Sequence, residues 1–171
     1  MILPKIRDPR FITIRRGGSL TDERHHLLAV WAARCAEHVL ALFESERPGD
    51  GRPRKAVELA HAWSRGEVTV DEAKRGAYHA NAAARDLKGA AKFAALAAGQ
   101  AAAVAHVAAH ELGAAAYAIR AVMAAGGEAG RIARGKAELE WQRSRLPPDL
   151  KDLVLEDEKN RSDICWNVFD L

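Results

Sequence analysis

The sequence predicts an all-α fold: a compact multi-helix bundle with Ala-rich central helices and a short extended N-terminal arm. Apolar residues recur at spacings of three and four along much of the chain, which places them on one side of a helix. Between residues 89 and 127, 24 of 39 residues are Ala or Gly, a composition suited to helices whose axes approach closely. The one convincing β-like run, residues 11–14, is too short to define a sheet and is expected to lie as an arm over the helices.

The elements follow in order. Arg15-Arg16-Gly17-Gly18 turns the chain after the arm. Ser19 or Thr21 can cap the first helix, with Asp22 and Glu23 at its positive N-terminal end. Leu28, Trp31, Cys35, Val39 and Leu42 give that helix one apolar face, continuing to about Glu44. Arg47-Pro-Gly-Asp-Gly-Arg-Pro53 then separates it from a second helix over residues 54–64, with Pro53 suited to the first helical position. Thr69-Val-Asp-Glu72 is a capping box opening a third helix to about Leu87, with Ala73, Ala77, Ala80, Ala84 and Leu87 along one narrow face. The Ala/Gly-rich stretch is too long for one globular helix and should break near residues 97–99 and near Gly113. A charged helix over 128–144 and a short amphipathic one after Leu146-Pro-Pro-Asp149 follow. The apolar tail should dock through Trp166 and Phe169.

A chain of 171 residues suits one domain over 1–171: arm 1–18, helical core 19–156 and docked tail 157–171. Aromatic residues make up only 6% of it, so closely spaced backbones should fill the core more than large side chains do. A bulky substitution at Ala102 or Ala109 is then expected to push neighbouring helices apart. Two distant cysteines, Cys35 and Cys165, without a secretory leader, point to a reduced cytoplasm. Residues 93–109, the most apolar stretch, are mostly Ala and include Gln100 and His106, which suits a buried helix of a soluble protein and not a membrane span. The net charge of +3 is interspersed. Arg7, Arg10, Arg15 and Arg16, with Arg52, Arg54 and Lys55, are the nearest thing to a basic patch, and such scatter disfavours nucleic acid as a partner.

Candidate chemistry centres on histidine. His106 and His110 stand one helical turn apart, a spacing that can offer two metal ligands. The surrounding residues are not HExxH, and no third ligand is evident, so no metal and no cofactor is expected. His38 and His61 lie on the apolar sides of the first two helices; with His106, His110 and Tyr117 they could line one polar pocket. Cys35 and His38 could form a nucleophile and base, but no orienting group or oxyanion hole accompanies them. Gly17-Gly18 and Gly126-Gly127 read as turns and lack the context of phosphate loops. No catalytic residues are assigned, and a binding protein is expected over an enzyme.

Several segments taken together resemble a known family. Asp8-Pro-Arg-Phe-Ile-Thr-Ile-Arg-Arg-Gly-Gly18 and Leu28-Ala-Val-Trp-Ala-Ala-Arg-Cys-Ala-Glu-His-Val-Leu40 look like the opening of a bacterial putative-immunity-protein family. Arg52-Pro-Arg54 leading to Ala62-Trp-Ser-Arg-Gly-Glu67 continues the likeness, as do Ala98-Gly-Gln-Ala-Ala-Ala-Val-Ala-His-Val-Ala-Ala-His110 and Gly113-Ala-Ala-Ala-Tyr-Ala118. Glu140-Trp-Gln142, Leu146-Pro147 and Cys165-Trp166 extend it nearly to the end. The resemblance implies an immunity protein of a polymorphic toxin system, which binds and neutralises a cognate toxin in the cytoplasm by covering part of its surface. It brings no set of toxin-binding residues. The arm at residues 8–16 and the polar faces of the early helices are the candidate surfaces, and a monomer and a homodimer are both open. The rival reading is a helical enzyme that binds a small molecule or metal in a histidine-lined pocket.

Overall fold

The computed structural model describes residues 2–171. Among them are eight α-helical segments and no strand. α1, Asp22–Val39, starts where Thr21, not Ser19, accepts a hydrogen bond from the Arg24 amide. Its Leu28, Trp31, Cys35 and Val39 are buried, as their spacing predicts. After Leu40 the chain continues as a single turn, α2, Ala41–Glu44. α3, Arg52–Ser64, begins slightly before the predicted start, which leaves Pro53 at the second helical position. α4, Val70–Ala83, has the predicted capping box: the Glu72 amide donates to the Thr69 hydroxyl, and the Thr69 amide donates to the Glu72 carboxylate. The helix stops short of Leu87, yet the whole predicted face from Ala73 to Leu87 is buried.

The breaks expected in the Ala/Gly-rich stretch are elsewhere. α5, Gly89–Ala103, runs unbroken through residues 97–99, and α6, Glu111–Ala124, runs unbroken through Gly113. The chain leaves the helix between them, at residues 104–110. Gly99 and Gly113 are contact points instead of breaks. A Cβ at Gly99 would strike the Asn81 side chain and come within 3.3 Å of the Ala77 carbonyl; at Gly113 it would strike Ile2 and Gln100. Missing side chains here let α5 approach α4 and let the N-terminal segment reach α6.

α5 is the hub, packed against α1, the α2 turn, α3, α4 and α6; α6 also packs on α1, α7 and α8. α7, Arg131–Ser144, starts three residues later than expected, after Gly130 at φ +76°. Its Arg134 guanidinium donates to the Val122 and Met123 carbonyls in the last turn of α6 and to the Gly127 and Ala129 carbonyls of the following loop, at 2.8–3.2 Å, which ties the start of α7 to the end of α6. Residues 22–44 also reach the length and mean hydropathy of a membrane-crossing helix, but 56% of their most apolar window is buried inside the bundle. Ala102, wholly buried on α5, tests this packing. Ala102→Leu is expected to lower Tm by roughly 3–10 °C through overpacking, and an unchanged calorimetric Tm would contradict it.

The arm is not extended. Asp8 caps a 3-10 turn at Pro9–Phe11 by accepting from the Arg10 amide at 2.8 Å. A second such turn spans Ile14–Arg16, and a lone parallel bridge joins Thr13 to Leu20. Folded back in this way, the arm buries Phe11 and Leu20, which stabilises it in that shape. At the other end, α8, Pro148–Arg161, runs across the expected start of the tail. Phe169 docks as expected. Trp166 does not bury: it is 42% exposed, at φ +61°, with the Arg120 guanidinium 3.9 Å from its ring centroid.

Candidate binding site

The interruption between α5 and α6 determines the setting of the histidines. Val104 lies just past the last turn of α5, and its carbonyl accepts a hydrogen bond from His25 Nε2 at 2.7 Å. His106 lies in the interruption, and His110 ends a 3-10 turn at Ala108–His110. They do not share a continuous helix as their spacing suggested, yet their ring centroids are 5.1 Å apart. His110 Nδ1 donates to Gln100 Oε1 at 2.7 Å. Burial, followed by the fields of His106, Arg161 and Arg7, pushes the His110 pKa down to about 4. Burial also lowers that of His106, with Lys74, Arg16 and Arg7 adding to the effect.

The other candidates for a shared pocket have separate surroundings. His38 Nδ1 donates to Glu138 at 2.8 Å while its ring stacks on Trp141 at 3.7 Å. Glu138 in turn accepts from Gln142, so this histidine ties α1 to α7. His61 faces Glu37 at 3.8 Å. Tyr117 sits beside Trp166 and Phe93, and the Arg120 guanidinium lies 4.0 Å from the Phe93 ring centroid. His106 and His110 are thus the one pair of the five drawn together. No group of three His, Cys, Asp or Glu side chains suited to a metal occurs among the described residues. Cys35 is wholly buried and its thiol is pushed up by that burial, which favours the unreactive protonated form; His38 is already held by Glu138.

The arm and the interruption instead enclose a cleft of about 570 Å³. Arg7, Arg15 and Arg16 come from the arm, His25 and His26 from the start of α1, and His106 from the interruption. Phe11, Trp63 and Val68 supply apolar wall, and Trp63 takes both His25 and His26 against its ring at 4.8 and 4.9 Å. Asp22 is the lining carboxylate, and it faces Arg15 at 3.3 Å. The basic residues prominent in the sequence thus divide into two sets. Arg10 pairs with Asp8 and Glu156, Arg52 with Asp50, and Arg54 with Glu44. Lys55 lies 3.5 Å from Glu58. Arg7 and Arg16 are exposed and form no side-chain hydrogen bond or ion pair among the described residues.

Reading along the sequence misses His25, His26 and Trp63 as a group, because they meet only after α1 and α3 have packed. The adjacent histidines in the first turns of a capped helix were the one local signal.

Fold and cleft together define an all-α bundle protein with a recessed basic surface. A family model described as Imm-5 like putative immunity protein matches residues 18–149, and the chain belongs to that family. No curated protein and no solved structure matches it. The matched span holds His25, His26, Trp63 and His106, whereas Arg7, Arg15 and Arg16 precede it.

Proposed function

We propose that this member of the immunity-protein family binds a cognate bacterial toxin in the cytoplasm of the producing cell and neutralises it by covering part of its surface. The family match over residues 18–149 carries this reading. Its physical support is a well-packed scaffold presenting a rim of fixed charge. Asp8 and Glu156 hold Arg10 at 2.6 and 2.7 Å, which anchors the arm to α8 while Arg7, Arg15 and Arg16 stay exposed. A basic rim steers an acidic partner surface toward it and repels a cationic one.

The test is protection. Co-expression with the toxin encoded beside this gene should restore growth, and the two purified proteins should co-elute. Reversing the rim with Arg7→Glu and Arg16→Glu should slow association and weaken its dependence on salt. Failure both to protect and to co-elute would reject the reading.

A further inference from the structure

We propose that the cleft between the folded arm, the start of α1 and the α5–α6 interruption is an anion-binding pocket, built for a phosphate or carboxylate group on a partly apolar molecule. The arm contributes three arginines to its lining, opposed by Asp22, which already faces Arg15. Arg7 and Arg16 therefore bring positive charge to one concavity without a carboxylate to balance it. His106, half-buried, lines the same concavity from the interruption. Phe11, Trp63 and Val68 supply the apolar wall. A cavity of about 570 Å³ is far larger than an inorganic anion and falls within the usual range for organic ligands.

The arm is held to shape this wall. Arg10 is bound by Asp8 and Glu156, and Gly18 sits where a Cβ would strike the Pro9 and Ile12 carbonyls. The turns at Pro9–Phe11 and Ile14–Arg16 thereby fix where Arg7 and Arg16 leave the backbone. Burial favours the neutral form of His106, and the positive charges of Lys74 on α4 and of Arg16 and Arg7 on the arm add to it, with the His110 ring 5.1 Å away. An anion in the cleft offsets those charges, so binding raises the His106 pKa and tightens as pH falls.

Two sources can supply such a group: a free phosphorylated or carboxylated metabolite, or an acidic side chain presented by the toxin. The second source rests on the immunity reading; the pocket itself does not. Side-chain NMR of the histidines during titration with inorganic phosphate, and separately with a pentaglutamate peptide, tests both. Saturable shifts at His25, His26 and His106, a raised His106 pKa and an unmoved His38 are expected. Stronger binding of phosphate points to a metabolite, and stronger binding of the peptide points to a protein segment. Arg7→Gln with Arg16→Gln, at exposed positions that leave the core intact, should weaken binding by roughly tenfold or more. No saturable shift with either probe, equal shifts at His38, or unchanged affinity in the double variant would overturn the proposal. A chain that protects against the toxin yet binds neither probe would reject the pocket alone. One that binds a probe but neither protects nor co-elutes with the toxin would reject the immunity reading alone.

Discussion

Arg161→Leu is expected to destabilise the protein by about 3–5 kcal/mol at neutral pH, the scale of leaving a buried charge without its partner. Arg161 is 4% exposed, and its guanidinium is enclosed by buried groups. Nε donates to both Asp157 oxygens at 2.9 Å, Nη2 to Glu111 at 2.9 Å and also to Asp157, and Nη1 to the Ala109 carbonyl at 2.8 Å. One cation thus faces two carboxylates. Glu111 is wholly buried, and its second oxygen has no partner. Burial, with Asp157 beside it, pushes its pKa well up against the opposing pull of Arg161. Its folded-state pKa therefore exceeds the unfolded one, so the stability it contributes is full below about pH 4.5 and is lost as pH rises through the folded value. Removing Arg161 widens this window. Urea titrations across pH should therefore show a deficit that shrinks on acidification, and a small deficit independent of pH would contradict this account.

Trp31→Ala is expected to cost about 3–5 kcal/mol, as large a loss as any one apolar side chain here should give. Trp31 is 1% exposed on α1 and is the largest fully buried side chain in a core otherwise dominated by Ala. Small neighbours on fixed helices cannot extend into the space it leaves, so most of the cavity should persist. Its indole also donates to the Gln142 carbonyl at 3.0 Å, but that carbonyl accepts from the Arg145 amide as well. Losing the indole bond alone should cost only about 1 kcal/mol. Trp31→Phe, which keeps much of the volume but not the donor, should consequently be far milder. Equal losses in the two variants, measured by denaturation, would mean that the hydrogen bond dominates.

Local chemistry made much of the fold legible. Thr21 and Thr69 cap their helices as hydroxyl side chains should, and the apolar spacings of α1 and α4 name the faces that are buried. Glycine misled because one residue type serves two purposes. Gly99 and Gly113 looked like helix breaks, but they are places where another element comes within reach of the backbone. The actual interruption contains neither Gly nor Pro and is held by His25, whose position 79 residues away from Val104 gives no local sign. The arm misled for a related reason. Its short β-like run at residues 11–14 suggested extension, while Asp8 and the burial of Phe11 favour a folded turn. Of the candidate pocket, only His106 and His110 were legible together, because four residues of separation keep them close even outside a helix.

The contacts of Arg161 also bear on the order in which the protein can be assembled. Its guanidinium reaches the Ile2 carbonyl, 159 residues earlier, as well as Ala109 and Glu111 at the interruption. Almost the whole chain must exist before those groups can meet, and closing so long a loop is entropically costly and slow. During synthesis, α1 to α6 can emerge and pack while the arm still lacks this fastening and its second anchor on Glu156. The residues that line the basic cleft all lie between 7 and 108 and are made early, whereas the groups that fasten the arm to α8 are among the last to be synthesised, so the arm gains this anchorage only when translation is nearly complete.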